Sequence, residues 1–227
     1  MKKIILLASA LVLISPVFKS QTKQERSVSH FTAVNVSSAI KAIITVSDKE
    51  SMVFEAEDKL LPKLKAEVSH GVLYIECSKS DCDSKKETVA YISVKELHGI
   101  VAEGASSVRT TNLVKTDHLN VSASGASSLD LTVEAGELKA TGKGASTISV
   151  KGQSKSLWMD MEGASTFKGG ACTAIDAHAD AKGASTAKVN AVKSLQANAS
   201  GASTIIYSGT ATDVKTDAQD ASTIKKG

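Results

Sequence analysis

Gly144-Ala145-Ser146-Thr147 and Gly163-Ala164-Ser165-Thr166 are two copies of one phrase, Gly-Ala-Ser followed by Ser or Thr, whose recurrence decides the fold. Other copies begin at Gly104, Gly125, Gly183 and Gly201, and a seventh keeps Ala221-Ser222-Thr223 behind Asp220. Successive starts lie 21, 19, 19, 20, 18 and 19 residues apart. A near-constant period of about 20 residues marks a repeat architecture, in which each unit buries its apolar side only against its neighbours.

The flanks say which repeat it is. Two residues before each start stand Ala102, Ala123, Gly142, Met161, Ala181, Ala199 and Ala218; four after come Val108, Leu129, Ile148, Phe167, Ala187, Ile205 and Ile224. Residues between the apolar positions are mostly polar, as in Asn120, Ser122 and Ser124. Period two belongs to strands with one buried face, and no copy holds a helical period long enough to compete. The expected fold is all-β, a parallel solenoid of about seven coils of ~19 residues. At ~4.8 Å per coil it would be roughly 34 Å long.

The phrase has a steric reading. A coil that turns within 20 residues needs corners, and Gly adopts backbone angles closed to other residues. Stacking sets like residues above one another, so a narrow interior favours Ala, Gly and Ser, and serines in a column are expected to hydrogen-bond along it. Spacing leaves open which of Ala, Ser and Thr points inward. Asp220, followed by Lys225 and Lys226, fits a terminal coil made polar at its open end.

Residues 1–20 read as an export signal: Lys2 and Lys3, then an apolar run from Ile4 to Ile14 broken only by Ser9, then Ser15-Pro16. The run is too short to span a bilayer as a mature helix. The expectation is therefore an exported protein, periplasmic, outer-membrane-associated or secreted, and not integral to the membrane. Residues 21–98 read as an N-terminal β region that starts the stack, and 99–227 as the regular solenoid. In the first part Val28 to Val36, Ile40 to Val46, Met52 to Glu57 and Val89 to Val94 are strand candidates. Ala66 to Val68 and Val72 to Cys77 form a hairpin across Ser69-His70-Gly71. Asp58 to Leu64, with Pro62, is a turn or short helical link, and the charged run Asp81 to Glu87 is an exposed loop. The formal net charge is +3 and aromatics are 4% of the chain. With no basic stripe interleaved with aromatics, nothing points to nucleic acid.

Cys77 and Cys82 enclose four residues, and in an oxidising compartment they are candidates for a local disulfide. Spacing alone does not show that the geometry is met. A lone pair of cysteines lacks the ligands zinc needs, and His30, His70, His98, His118 and His178 are scattered, so no metal or cofactor is expected. Cys172 is left as a buried or free thiol.

Arg26-Ser27-Val28-Ser29-His30-Phe31, Val53-Phe54-Glu55-Ala56-Glu57-Asp58, Val68-Ser69-His70-Gly71-Val72-Leu73-Tyr74-Ile75 and the Gly-Ala-Ser phrases, in this order, resemble the head GIN domain family of adhesin-like exported bacterial proteins. The resemblance covers roughly residues 26–210. It implies a right-handed, β-helix-like fold in the periplasm or on the surface, and supplies no catalytic or binding residues.

One cluster is a candidate site. Asp176, His178 and Asp180 alternate on one strand and project to one side. The preceding coil is expected to place Trp158, Asp160 and Glu162 there, with Lys139, Lys143, Lys182 and Lys215 between the like charges. The bland alternative is a solvated sheet face. Functionally, such a wall presents repeated weak contacts to an extended ligand such as a glycan or envelope polymer, without catalysis. The competing class is a polysaccharide hydrolase or lyase using the same carboxylates as acid and base, with Trp158 as a stacking platform. Edge coils offer a route to oligomers.

Overall fold

The computed structural model describes residues 21–78, 82 and 86–227. The signal-peptide reading of residues 1–20 falls outside these, as does most of the charged loop expected at 81–87. Among the described residues seventeen strands form one continuous sheet that coils on itself. Among the described residues the lone helical piece is the 3₁₀ turn Leu61–Lys63, where Pro62 sits in the first turn.

The regular coils are built from β10 (Val114–Ala123), β11 (Ser128–Gly142), β12 (Thr147–Met161), β13 (Thr166–Ala181) and β14 (Thr186–Ala199). Each pairs in parallel with the next, and like positions of the phrase align: Ser128 with Thr147, Thr147 with Thr166, Thr166 with Thr186. Shorter strands close the C-terminal end: β15 (Thr204–Ser208) and β16 (Asp213–Ala218) on β14, then β17 (Thr223–Lys226) on β15.

The column of phrases explains its composition. The six phrase glycines have φ between 71° and 80°. A Cβ on Gly144 would stand 3.1 Å from the Gly125 carbonyl oxygen, and one on Gly125 would stand 2.7 Å from that of Gly104. Two demands therefore coincide, a left-handed backbone and a close approach of corner to corner. The Ala N–H of each corner donates to the Gly carbonyl below, at 2.6–2.8 Å from Ala126 to Ala202. Asp220 keeps this conformation at φ 59°, as Asp tolerates, and its carboxylate accepts the Gly201 N–H at 3.1 Å.

The inward residue of the phrase is Ser; Ala faces solvent and the fourth residue is half-buried. The serines do not bond to one another as expected. Five of the seven hydroxyls reach back to a carbonyl two residues before the Gly of the previous coil, among them Ser127 to Ala102 at 3.0 Å, Ser203 to Ala181 at 2.9 Å and Ser222 to Ala199 at 3.0 Å. A carbonyl has two lone pairs, so one oxygen serves both the sheet ladder and the hydroxyl. Ser106 and Ser146 find no such partner.

Core volume is balanced between coils. Gly142 lies under Met161, whose sulfur would be 2.5 Å from a Cβ there, and Phe167 stacks on Ala187. Leu119, Leu138, Leu157, Ala177 and Leu195 make one buried column.

The N-terminal part departs from a simple start of the stack. β2 (Ala33–Val36) lies between β6 (Val72–Cys77) and β8 (Gly99–Ala102), and β3 (Lys41–Val46) between β7 (Val89–Val94) and β9 (Ser107–Thr110), all parallel. The first coil of the chain is thus enclosed, and the chain passes over it between β7 and β8. Its corner reuses the turn without the phrase: Ser38 and Ala39 have φ 63° and 57°, and buried Ile40 takes the place of Ser.

The end of the stack is made antiparallel. β1 (Thr22–Arg26) pairs with β4 (Ser51–Ala56), β4 with β7, and β5 (Leu64–Ser69) with β6. The expected hairpin turns through His70 and Gly71, both at positive φ, the two-residue turn that suits strand twist. β1 went unforeseen because Thr-Lys-Gln-Glu-Arg has no apolar residue; backbone pairing and Arg26, which donates to the Leu61 carbonyl at 2.7 Å, hold it. The strand expected from Val28 begins only at Ala33, where the Gly71 carbonyl takes the first N–H groups.

Candidate functional site

The sheet face that carries β6, β2, β8 and the C-terminal thirds of β10–β14 has outward columns fixed by register. Trp158 lies between Lys139 and His178, and the column continues through Gln196 to Lys215. Asp160, Asp180, Asn198 and Asp217 form the next column, and Ser156, Asp176, Ser194 and Asp213 the one before. All five candidate residues, Trp158, Asp160, Asp176, His178 and Asp180, lie on this wall. Glu162 stands just past the end of β12, exposed, between Lys143 and Lys182 in the column bordering that of Asp160. The alternation of exposed and buried residues runs from Trp158 through Glu162, and Lys182 lines a hollow with Asp180 and Asn198. Lys143 and Lys182 thus flank Glu162, while Lys139 and Lys215 end the column of Trp158 and His178.

Trp158 is 49% exposed, and its ring centroid stands 4.7 Å from that of His178, tilted by 40°. His178 is half-buried, as Trp158 and Asp180 cover its ring. The Asp180 carboxylate meets the His178 Nε2 at 3.2 Å through one oxygen and accepts from the Asn198 amide at 2.7 Å through the other. Asp176 accepts from Ser194 Oγ at 2.6 Å. A groove of about 230 Å³ follows, floored by Leu157, Ala177 and Leu195 and walled by Trp158, His178, Asp176, Gln196 and Lys215. Gln196 and Ser194 were missed as members, although the ~19-residue step applied to Trp158 and Asp176 points to them; Lys215, expected between the like charges, lines the groove.

A second hollow of about 370 Å³ lies on the same face toward the N-terminal end, between Tyr74 and Lys139. A third, of about 590 Å³, runs along the opposite corner past Lys115 and Glu134. Their charges are engaged with one another at 2.7 Å, which raises the Lys115 pKa and lowers that of Glu134. Among the described residues no group of three His, Cys, Asp or Glu is arranged to hold a metal ion. None of their helices is long and apolar enough to cross a membrane.

The structure bonds Cys77, at the end of β6, to Cys82. Cys172 is fully buried in β13, and burial pushes its thiol up to about 11. A protonated, enclosed thiol is no nucleophile at neutral pH.

Three solved structures share the fold. A putative adhesin from Bacteroides fragilis superposes with a TM-score of 0.88 at 21% identity, over 92% of this chain and 98% of that one. A putative lipid binding protein from Parabacteroides distasonis gives 0.73 at 16% identity, over 92% and 98%. A putative adhesin from Parabacteroides merdae gives 0.69 at 16%, over 92% and 97%. No curated protein matches this chain. The family described as "Putative auto-transporter adhesin, head GIN domain" matches residues 30–211, the coiled sheet from just before β2 to the start of the last coil, and the chain belongs to that family.

Proposed function

We propose that this protein is an exported, adhesin-like, non-catalytic module that binds an extended ligand such as a glycan along the wall bearing Trp158, Asp160, Asp176, His178 and Asp180. The observation that carries the reading is the half-exposed Trp158 ring beside His178, over a groove whose carboxylates are already oriented by Ser194, Asn198 and His178. An indole offers a flat apolar face with a polar edge, suited to a sugar ring that is apolar above and hydroxylated around its rim. Fixed carboxylate oxygens accept hydroxyl hydrogen bonds without reorganising. Rungs at ~4.8 Å repeat such contacts along a linear polymer, so weak subsites sum. Asp180 engages both its oxygens with His178 and Asn198, and Asp176 one of its own with Ser194 beside an open groove, which argues for holding rather than cleaving.

The test is a glycan array probed with residues 21–227 and with the Trp158→Ala variant. Specific signals that fall at least tenfold in the variant are expected. Silence of the unaltered protein, or signals indifferent to Trp158→Ala, would overturn the reading. Polysaccharide turnover that disappears in Asp160→Asn or Asp180→Asn would replace it with an enzyme.

A further inference from the structure

We infer that a second face of the coils, the one carrying Lys168, Lys188 and Lys225, docks the protein on an anionic phospholipid surface. This does not rest on the binding reading above, because it concerns the strand segments on the other side of the phrase corner. From β12 onward each coil contributes the stretch that follows its phrase: 147–155, 166–175, 186–193, 204–212 and 223–227. Together these stretches hold seven lysines and no Asp or Glu. Register lines up three of them, since Ser149, Lys168, Lys188, Ile206 and Lys225 follow one another on successive rungs. Lys151 and Lys226 stand on the same segments, and Lys155 and Lys193 at the bend that follows. All seven are exposed, and among the described residues none forms an ion pair.

Acids stand at the margins of this face. On the rung before it, Asp130 opposes Arg109 and Glu134 is held by Lys115. Asp117 lies two rungs before Lys155. Glu137, Asp176 and Asp213 begin the wall of Trp158, and Asp220 sits in the last corner. That wall is acidic on the same coils, with Asp160, Asp180 and Asp217 beside Lys215, so the two sides carry opposite charge. Like charges directly opposite on neighbouring strands are destabilising, so Lys168 beside Lys188 does nothing for the fold. The column lies on open sheet outside the hollows described above, a shape for an extended anionic surface rather than a small anion. The bend adds an independent observation. Ile175 and Val192 are 44% and 41% exposed. Ile175 stands beside Lys155 on one rung and beside Val192-Lys193 on the next, where the ladder bulges. Aliphatic side chains among lysines add nothing toward a soluble polyanion. At a bilayer surface they enter the acyl boundary while the ammonium groups stay with the phosphates.

Co-sedimentation of residues 21–227 with phosphatidylcholine vesicles, with and without phosphatidylglycerol, tests this. Binding is expected to the anionic vesicles and not the neutral ones, and to weaken as salt is raised. Lys168→Gln with Lys188→Gln should lower the partition about tenfold. Lys143→Gln with Lys182→Gln removes the same charge at the phrase corner and should change it less than about twofold. Ile175→Ser with Val192→Ser should weaken binding about fivefold and leave its salt dependence in place. Circular dichroism spectra matching the unaltered protein show that each variant is folded. Equal binding of neutral vesicles, equal losses in the two lysine pairs, or no loss on replacing Ile175 and Val192 overturns the inference. So does binding to heparin or polyphosphate with vesicles left free, which would give the face to a soluble polyanion. Vesicles left free while the protein self-associates would instead set this face on the acidic wall of a second copy. Trp158→Ala should bind vesicles as the unaltered protein does, so the glycan array judges the Trp158 reading separately.

Discussion

A single side chain, the inward serine of the phrase, shows how the repeat is stabilised and where it is not. Ser203 is fully buried and donates within reach of two carbonyls, Ala181 and Ser200, each at 2.9 Å. Ser146 is as deeply buried with no acceptor. A net hydrogen bond contributes roughly 1 kcal/mol, while an unpaired buried hydroxyl costs about 1–3 kcal/mol. Ser203→Ala should therefore lower stability by about 1 kcal/mol, whereas Ser146→Ala should be neutral or stabilising, both read by urea denaturation. Equal losses in the two variants would mean that the carbonyl contact does not matter. Repetition makes the seven serines look equivalent; their partners do not.

Within one element, β13 carries the buried thiol and the site residues on opposite sides of the same strand. Ala174, Ala177 and Ala179 face the core near Cys172, while Asp176, His178 and Asp180 face the outer wall. Burial favours the neutral form of Cys172, raising its pKa from 9.0 to about 11 in the folded state. The sign follows: the folded chain holds the proton more tightly, so this stabilisation is full below about pH 9 and drains away as pH rises toward 11. Two pKa units correspond to about 2–3 kcal/mol. Stability measured from pH 8 to 11 should fall more steeply in the unaltered protein than in Cys172→Ala, which removes the titration whatever its cavity costs. Parallel curves would refute the assignment. Native-state alkylation should leave Cys172 unlabelled.

For the whole molecule, the physical problem of a solenoid is its two ends, where coils lack a neighbour. At the N-terminal end antiparallel β1 and β5 present charged edges, Lys23 and Glu25 on one side, Lys65 and Glu67 on the other. At the other end β16 and β17 carry Asp213, Lys215, Asp217, Lys225 and Lys226 around half-buried Val214 and Ile224. Charged edges oppose strand addition by a second copy. Lys65→Val with Glu67→Val should convert β5 into an adhesive edge, seen as concentration-dependent association in sedimentation velocity. A double variant that stays as dispersed as the unaltered protein would show that these charges do not guard the edge.

The sequence alone determined the coiled, parallel sheet, because a side-chain period of two set inside a period near 19 has no other compact solution. It also placed Trp158, Asp176, His178 and Asp180 together, since rungs one repeat apart must be neighbours. Only the tertiary structure decided what depends on non-local pairing. That Ser is the inward residue of the phrase was settled only by the corner's geometry, because a turn can shift the alternation that strand reading assumes. The enclosed first coil and the polar strand β1 rest on backbone hydrogen bonds between distant segments, which side-chain pattern does not encode. Tyr74 joins the face of Trp158 only because β6 docks on β2, with 83 residues of chain between those two aromatics.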